Sequence, residues 1–244
     1  MFGEKIDGIK KTLTKKKIEN FWRYYKAIVV MIVFVGVFIA NTVLQMNSQT
    51  ETALYALFIN AQSEDVNNSE FKEKIIESLE IDTSLYNLII DSSFFIDYDE
   101  PDANQTDNQQ KLVILISTQQ LDVVAMDITT YKNMYYNDFF LDLNECFSEE
   151  ELSNYVGEIC YADNLKIQQY DDTEEKAQFI EDTIDIDPKI AEDMEEPIPI
   201  GLYVDEDSTL RKYFEFEGEV VVSIISNSNH IEDAKSFVEF CAQN

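Results

Sequence analysis

The sequence predicts an α/β protein: a single N-terminal transmembrane helix followed by one extracytoplasmic α/β domain, whose mainly parallel mixed sheet is covered by helices. Three observations lead to this prediction. The chain of 244 residues has one long apolar run near its start, its charge changes sign after that run, and the rest alternates strand-like with helix-like segments. Because 45% of the residues are hydrophobic, the chain can bury a core, which excludes global disorder.

The apolar run is the predicted transmembrane helix, residues 27–46. No charged residue occurs between Lys26 and Glu51. A helix of about 20 residues rises about 30 Å, which matches the hydrocarbon core of a bilayer. A cleaved secretory signal would have a shorter apolar core and small residues at its cleavage site. Residues 27–46 therefore predict an uncleaved signal-anchor that holds the chain in the lipid bilayer.

The charge on the two sides of this span predicts its orientation. Residues 1–26 carry eight basic and three acidic residues, and the first basic residue beyond the span is Lys72. Basic flanks remain on the cytosolic side. Residues 1–26 are therefore predicted to form a basic cytosolic tail, and residues 47–244 a domain outside the cytoplasm. The predicted localisation is the cell membrane, crossed once.

The predicted outer domain is strongly acidic. Of the 48 acidic and 18 basic residues of the chain, 45 and 10 follow residue 26. Such a surface repels nucleic acid, so no DNA or RNA partner is predicted. The ordinary explanation is that the charge keeps an exposed domain soluble, and a cationic or metal-ion ligand is the alternative.

Hydrophobic periodicity predicts alternating strands and helices. Strands are predicted at 53–60, 88–96, 121–126, 201–204 and 219–225. Helices are predicted at 69–80 with Ser69 as N-cap, at 108–119, 129–137 and 228–241, and from a capping box at Ser148–Glu151 toward Tyr155. The less regular middle region is assigned a hairpin at 159–169 and a helix at 173–183. Strands separated by helices of this length favour a mainly parallel sheet.

Three stretches carry a resemblance to a known family. Lys111–Asp127 has the pattern of a helix followed by an x-D-V-V-x-x-D strand, and Phe139–Leu143 fits a G-x-L-x-D-L turn. Val222–Ser228 and Ala234–Phe240 fit an x-A-I-S-x-x-S strand and an A-x-x-F-x-x-F helix. Together these stretches resemble the solute-binding proteins of bacterial ABC importers, which have the periplasmic-binding type II fold.

The resemblance implies one lobe of that fold. In the family, a first segment builds lobe one, a long central segment builds lobe two, and the chain returns to complete lobe one. Here the central segment, residues 156–199, is too short for a second α/β lobe, because each βαβ unit needs about 30 residues. We interpret it as a short insert that replaces the second lobe.

Asp122 and Asp127 bracket the third predicted strand and are the candidate ligand-binding residues. Ligands of α/β sheets lie beyond the carboxyl ends of the strands, which favours Asp127. The alternative is that Asp127 caps the helix that follows it.

The acidic loop after the second predicted strand is the candidate metal site. Asp97, Asp99 and Asp102 offer the carboxylate oxygens that calcium prefers. Pro101 at a ligand position and the lack of a turn glycine exclude an EF-hand. A solvated acidic loop is the alternative, and Asp205–Asp207 forms a second such cluster.

The residues of nucleophilic catalysis do not form a recognisable motif. The one histidine, His230, is expected in an exposed loop or first helical turn, and the six glycines form no nucleophile elbow, phosphate loop or dinucleotide fingerprint. The three cysteines lack metal spacing. Cys146 and Cys160 are close enough in sequence to form a disulfide, and three reduced thiols are the alternative.

The leading hypothesis is a non-enzymatic, membrane-anchored binding or interaction domain that needs no cofactor. Its expected partners are the lipid bilayer through residues 27–46, a membrane or envelope protein, and a small-molecule ligand. One alternative is an accessory or sensory subunit of an envelope complex. Another is an envelope hydrolase that uses paired carboxylates.

Overall fold

The computed structural model describes residues 31, 34–35, 51–63, 65–98, 103–155, 157–172 and 186–243. The chain divides into two compact units, Met1–Thr50 and Glu51–Asn244. Within the described residues, no helix is both long and apolar enough to cross a membrane. Most of the predicted span 27–46 lies outside those residues, as does the predicted helix 173–183.

The described part of the second unit forms one six-stranded sheet. The strands are β1 (Glu51–Ile59), β2 (Tyr86–Phe94), β3 (Val123–Asp127), β4 (Ile159–Asp163), β5 (Pro197–Val204) and β6 (Val220–Ile224). Their order across the sheet is β2-β1-β3-β6-β5-β4. β1 pairs in parallel with β2 and β3, whereas the β3–β6, β6–β5 and β5–β4 pairs are antiparallel.

The α/β class and the mixed sheet are confirmed, but the prediction of a mainly parallel sheet is wrong. The difference lies in the second half of the chain, where β3, β6, β5 and β4 are neighbours and all three pairs are antiparallel. The 15 residues between β5 and β6 contain a helix and are long enough for either direction, so hydrophobic periodicity marked the strands but not the direction in which each one runs. The sheet is therefore parallel across β2, β1 and β3 and antiparallel across β3, β6, β5 and β4.

Seven α-helices lie in the described part of this unit. They are α1 (Asp65–Ser78), α2 (Ala103–Ser117), α3 (Ile128–Lys132), α4 (Glu149–Leu152), α5 (Asn164–Asp172), α6 (Thr209–Tyr213) and α7 (Ile231–Ala242). The capping box is confirmed: the Ser148 hydroxyl accepts from the Glu151 N–H, and the Glu151 carboxylate accepts from the Ser148 N–H. Ser69 lies inside α1 and is not its N-cap.

The predicted hairpin 159–169 is wrong, because its second half is α5. The buried Asp163 carboxylate accepts the Leu165 N–H at 3.1 Å, which satisfies a donor in the first turn of α5. It also accepts the N–H groups of Glu195 and Glu196 at 2.9 and 3.2 Å. One carboxylate thus joins the start of α5 to the segment that leads into β5.

The core has two layers, one on each face of the sheet. Alternate residues of β1 point to opposite faces, so Leu54 and Phe58 pack with α1 and α7, and Leu57 packs with α2 and α5. The first layer is rich in aromatic rings: the Phe214 centroid lies 4.7 Å from that of Phe58 and 5.2 Å from that of Phe71.

Candidate functional site

A cleft of about 370 Å³ lies where β1, β2 and β3 end. Asn60 directly follows β1, Ile96 follows β2 by two residues, and Asp127 is the last residue of β3. All three line the cleft. The carboxyl ends of parallel strands meet at one edge of a sheet, and ligands of α/β proteins commonly bind there.

Asn60 joins the ends of all three parallel strands. Its Oδ1 accepts the Ile96 N–H at 2.8 Å, and its Nδ2 donates to the Ile96 carbonyl at 2.9 Å. Nδ2 also lies 2.8 Å from Asp127 Oδ2 and 3.0 Å from Thr130 Oγ1. The backbone φ of Asn60 is 59°, in the left-handed region that asparagine tolerates better than most residues.

Asp127 lines the cleft and also caps α3, so the alternative that it caps the helix that follows it is confirmed. Its Oδ1 accepts the Thr130 N–H at 2.9 Å, and its Oδ2 accepts the Thr130 hydroxyl at 2.8 Å. With the amide of Asn60, the carboxylate has three donors while only 9% of the residue surface is exposed. Its position is thereby fixed.

Asp122 does not line the cleft, so the structure does not bring it together with Asp127. It precedes β3 at the amino end of the strand and is 2% exposed. Its carboxylate accepts the Tyr55 N–H at 2.8 Å and the Ser228 hydroxyl at 2.6 Å, and lies 3.1 Å from His230 Nδ1. Through these hydrogen bonds Asp122 connects β1 to the segment after β6, which is a structural role.

Ser228, His230 and Asp122 do not form a nucleophile-and-base arrangement. The Ser228 hydroxyl donates to Asp122 and accepts the backbone N–H of His230 at 3.0 Å. A catalytic serine would instead contact the imidazole ring. His230 directly precedes α7, as the sequence predicted, and its ring is partly exposed.

The predicted metal site is represented only by Asp97, which lines the cleft. Asp99 and Asp102 lie outside the described residues. Among the residues that are described, no three His, Cys, Asp or Glu side chains converge to hold a metal ion. Asp205–Asp207 forms the exposed start of the β5–α6 connection.

The cleft is electronegative. Asp97, Asp127 and Glu217 line it, and no lysine or arginine is among its described lining residues. Burial, followed by the charge of Asp127, raises the pKa of the lining phenol Tyr98 to about 12. The phenol therefore stays neutral at physiological pH, and the fixed charges of the cleft are negative.

A second depression, of about 410 Å³, lies beside the cleft between the end of β2 and α2. Phe95 and Gln105 line both depressions. The Asn108 amide donates to the Phe95 carbonyl at 3.2 Å, which fixes α2 against the chain that leaves β2. Lys111 lies at the α2 side of this depression.

The predicted Cys146–Cys160 disulfide is absent, since both cysteines are free. Cys160 lies in the core layer of Leu57, whereas Cys146 packs against the layer on the opposite face, so the sheet separates them. Burial raises the pKa of Cys146 to about 11 and that of Cys160 to about 12. Both thiols stay protonated at neutral pH, which makes them poor nucleophiles.

Sequence reasoning identified Asp127 and Asp97 but missed Asn60, Tyr98 and Thr130. A signal for Asn60 was present, because a polar residue directly follows the apolar run ALYALFI. For Tyr98 and Thr130 the sequence carried no such signal, since the strands that bring them to the cleft are far apart along the chain.

Comparison with known proteins assigns no family. The chain matches no family model, no curated protein and no solved structure. Its function is therefore inferred from the fold and from the cleft at the ends of β1, β2 and β3.

Proposed function

We propose that this chain is a membrane-anchored, extracytoplasmic, non-enzymatic binding domain that holds a small ligand in the cleft. The observation that carries the proposal is the fixed network of Asn60, Asp127 and Thr130 at the carboxyl ends of three parallel strands. Preorganised polar groups in a concave site favour binding because they need no reordering when a ligand arrives.

The sheet supports the proposed likeness to one lobe of a solute-binding protein. Strands from residues 51–127 and 220–224 lie next to one another in one continuous sheet, as a chain that leaves a lobe and returns to it requires. The described part of the insert 156–199 adds β4 and the start of β5 to that sheet. The proposed ligand therefore binds to an open cleft of a single lobe, without closure between two lobes.

Binding is favoured over catalysis by the fixed position of the carboxylate in the network. A general acid or base must exchange a proton with the substrate. The Asp127 carboxylate already accepts three hydrogen bonds from within the domain, which hold it in place.

A cleft-filling variant tests the proposal. Thr129 lines the cleft and is exposed, so Thr129→Trp fills the space and leaves the Asn60 network intact. Thr83→Trp is the matched control, since Thr83 is an exposed turn residue before the amino end of β2. The full chain in detergent is screened by thermal shift against a panel of small anions, cations and neutral metabolites.

We expect ligands that raise the melting temperature of the wild type and of Thr83→Trp but not of Thr129→Trp. Equal stabilisation of all three proteins by every active ligand would place binding elsewhere and refute the proposed site. A panel without any active compound would count against small-ligand binding as the function.

Docking onto a membrane or envelope protein is the second candidate. It is favoured by large apolar side chains at the β2 edge and on α2: Leu85 (59% exposed), Ile114 (58%), Val113 (49%), Phe95 (44%) and Tyr86 (41%). Large exposed apolar side chains mark candidate interaction surfaces. Purification from native membranes should recover a partner with the wild type and lose it with Ile114→Glu, whereas an unchanged set of proteins would reject this surface.

A further inference from the structure

We propose that the β2 edge of the sheet pairs with the β2 edge of a second copy of this chain, so that two six-stranded sheets join into one. The contact does not involve ligand binding in the cleft, so it is independent of the proposed function. It also commits the exposed β2 edge to one occupant. Three observations support it: the edge is long and unprotected, it carries one charged side chain, and exposed apolar side chains lie at both of its ends.

The two edge strands of the sheet differ in how they are protected. The order of strands places β2 at one edge and β4 at the other. β4 has five residues, and at its centre the Tyr161 N–H donates to the Pro188 carbonyl at 2.7 Å while the Tyr161 carbonyl accepts the Tyr131 hydroxyl at 3.3 Å. β2 has nine residues, and in the described part of the chain the backbone groups of residues 87–92 that point away from β1 have no partner. An unpaired edge of this length is a template for another strand.

β2 also lacks the residues with which proteins usually protect an edge strand. It contains no proline and no lysine, which are the common choices for this purpose. Its one charged residue is Asp91, and this carboxylate accepts the Ser93 N–H at 2.8 Å and the Tyr55 hydroxyl at 3.1 Å. The pairing of β2 with β1 is regular from Leu88 to Asp91, so this stretch is a regular template for a further strand.

Charge restricts where two copies of this chain can meet. The chain carries 45 acidic and 10 basic residues after residue 26, so most of its surface repels a second copy. Residues 83–96 are an exception, because Asp91 is their only charged residue. Antiparallel pairing centred on Ile90 places Asp91 opposite Ile89 of the second copy and not opposite its Asp91. The β2 edge is therefore a surface on which two copies can meet without apposing like charges.

Exposed apolar side chains lie at both ends of β2. Leu85 directly precedes the strand, Tyr86 is its first residue, and Phe95 directly follows it. Two copies related by a twofold axis pair as antiparallel strands, so the start of each β2 lies beside the end of the other. With the axis at Ile90, Leu85 of one copy lies opposite Phe95 of the second copy, and symmetry repeats this contact. The proposed dimer thus covers the apolar side chains at both ends of each strand.

The β2 edge is large enough for a stable dimer. Its nine residues span about 30 Å. A helix lies on each face beside it: α1 packs in the core layer of Leu88, and α2 contacts the end of the strand through the Asn108–Phe95 hydrogen bond. Because helices are about 10 Å thick, the edge surface is about 25 Å high. About 750 Å² is then covered on each copy, close to the roughly 800 Å² per partner of a standard protein–protein interface.

Sedimentation velocity of the full chain in detergent, over a range of protein concentrations, tests the proposal. The wild type is expected to form a dimer that dissociates on dilution. Tyr86→Glu introduces a charge that symmetry presents twice at the β2 edge, and it should raise the dissociation constant by at least about ten-fold. Asn154→Glu adds the same charge to an exposed residue after α4 and is the matched control, which should leave the dissociation constant unchanged. Both substituted side chains are exposed, so both variants should keep the melting temperature of the wild type.

Disulfide formation tests the pairing itself. With the axis at Ile90, Asn87 of one copy lies opposite Ser93 of the second copy, and both residues are exposed. Oxidation of a mixture of Asn87→Cys and Ser93→Cys chains should link one chain of each kind. Either variant alone should stay unlinked, because its two new cysteines lie about 20 Å apart across the axis. The wild type, whose three cysteines are free, reports any link through the native thiols.

The outcomes decide the proposal without reference to the cleft. A chain that is monomeric at every concentration overturns the proposal. A dimer that Tyr86→Glu weakens no more than Asn154→Glu places the contact elsewhere and also overturns it. A dimer in which the mixed cysteine variants do not link overturns the antiparallel pairing about Ile90. The thermal-shift test of Thr129→Trp judges ligand binding separately, so either proposal can fail while the other holds.

Discussion

Replacing Asn60 is the most direct test of the polar network that builds the cleft. The side chain contacts Ile96 through both its amide oxygen and its amide nitrogen, and the nitrogen also contacts Asp127 and Thr130. A hydrogen bond contributes about 1 kcal/mol net, so losing these contacts should cost about 2–3 kcal/mol in a partly buried site. Alanine at a φ of 59° adds about 1 kcal/mol of backbone strain.

Asn60→Gly separates the two contributions. Glycine loses the same hydrogen bonds but adopts the left-handed conformation without strain, so it should cost about 1 kcal/mol less than alanine. Asn87→Ala is the control, because Asn87 is exposed on β2 and makes one long contact of 3.5 Å to Lys72. That control should stay within about 0.5 kcal/mol of the wild type.

The assay is urea unfolding of the full chain in detergent, followed by the near-ultraviolet circular dichroism of the tyrosines. Tryptophan fluorescence is unsuitable, since the single tryptophan, Trp22, precedes the domain. Two results would refute the reasoning. One is a cost for Asn60→Ala no larger than for Asn87→Ala, and the other is a larger cost for glycine than for alanine.

Five further predictions concern the core and the titratable groups. A Cβ on Gly201 would lie 2.5 Å from Ser223 Oγ and 2.7 Å from a Val221 methyl, so Gly201→Ala should lower the free energy of unfolding by about 1–3 kcal/mol. Because the Ser223 hydroxyl is buried without a partner, Ser223→Ala should cost little by itself and partly rescue Gly201→Ala in a double-mutant cycle. Asp122→Asn should cost about 2–4 kcal/mol in the same urea assay, since one of its acceptor atoms becomes a donor that faces other donors. A reducing agent should leave the melting temperature unchanged, and Cys146 should react with a thiol reagent in the native protein only as the pH approaches about 11. The pKa of Tyr98 rises from 10.0 to about 12 on folding. The contribution of this phenol to the free energy of unfolding is therefore complete below pH 10 and is lost as the pH rises toward 12. Phenolate absorbance of the wild type should exceed that of Tyr98→Phe only above pH 10.

Apolar patterning predicted most of the sheet. The strands at 53–60, 88–96, 121–126, 201–204 and 219–225 all appear. β1, β3, β5 and β6 are largely buried, whereas β2 at the sheet edge is mostly part-exposed and was marked by its apolar residues alone. The helix starts were less predictable. α1 begins at Asp65 and α2 at Ala103, four and five residues before the predicted starts, because their first turns are polar and carry no apolar periodicity.

The middle region shows why a local pattern can be misleading. Residues 159–169 alternate well enough to suggest a hairpin, yet the chain turns into α5 after Asp163. The cause is a contact with Glu195 and Glu196, which lie more than 30 residues away in sequence. The site follows the same logic: Asp127 could be found at a strand end, whereas its partner Asn60 lies 67 residues away.

The polarity of the sheet gives the two aspartates at the ends of β3 their different environments. Before the amino end, Asp122 forms hydrogen bonds with β1 and with the segment after β6. At the carboxyl end, Asp127 caps α3 and lines the cleft. Two residues of one type at opposite ends of one short strand are thus distinguished by the direction in which the strand runs.

The excess of acidic residues also determines which ligands the cleft can attract. The three buried carboxylates of the described domain, Asp122, Asp127 and Asp163, accept hydrogen bonds from backbone, amide, hydroxyl and imidazole groups, and none from lysine or arginine. These hydrogen bonds hold the three carboxylates in place. The charged residues that line the cleft in the described part of the chain, Asp97, Asp127 and Glu217, are all acidic. The cleft is therefore better suited to a cationic ligand than to an anionic one.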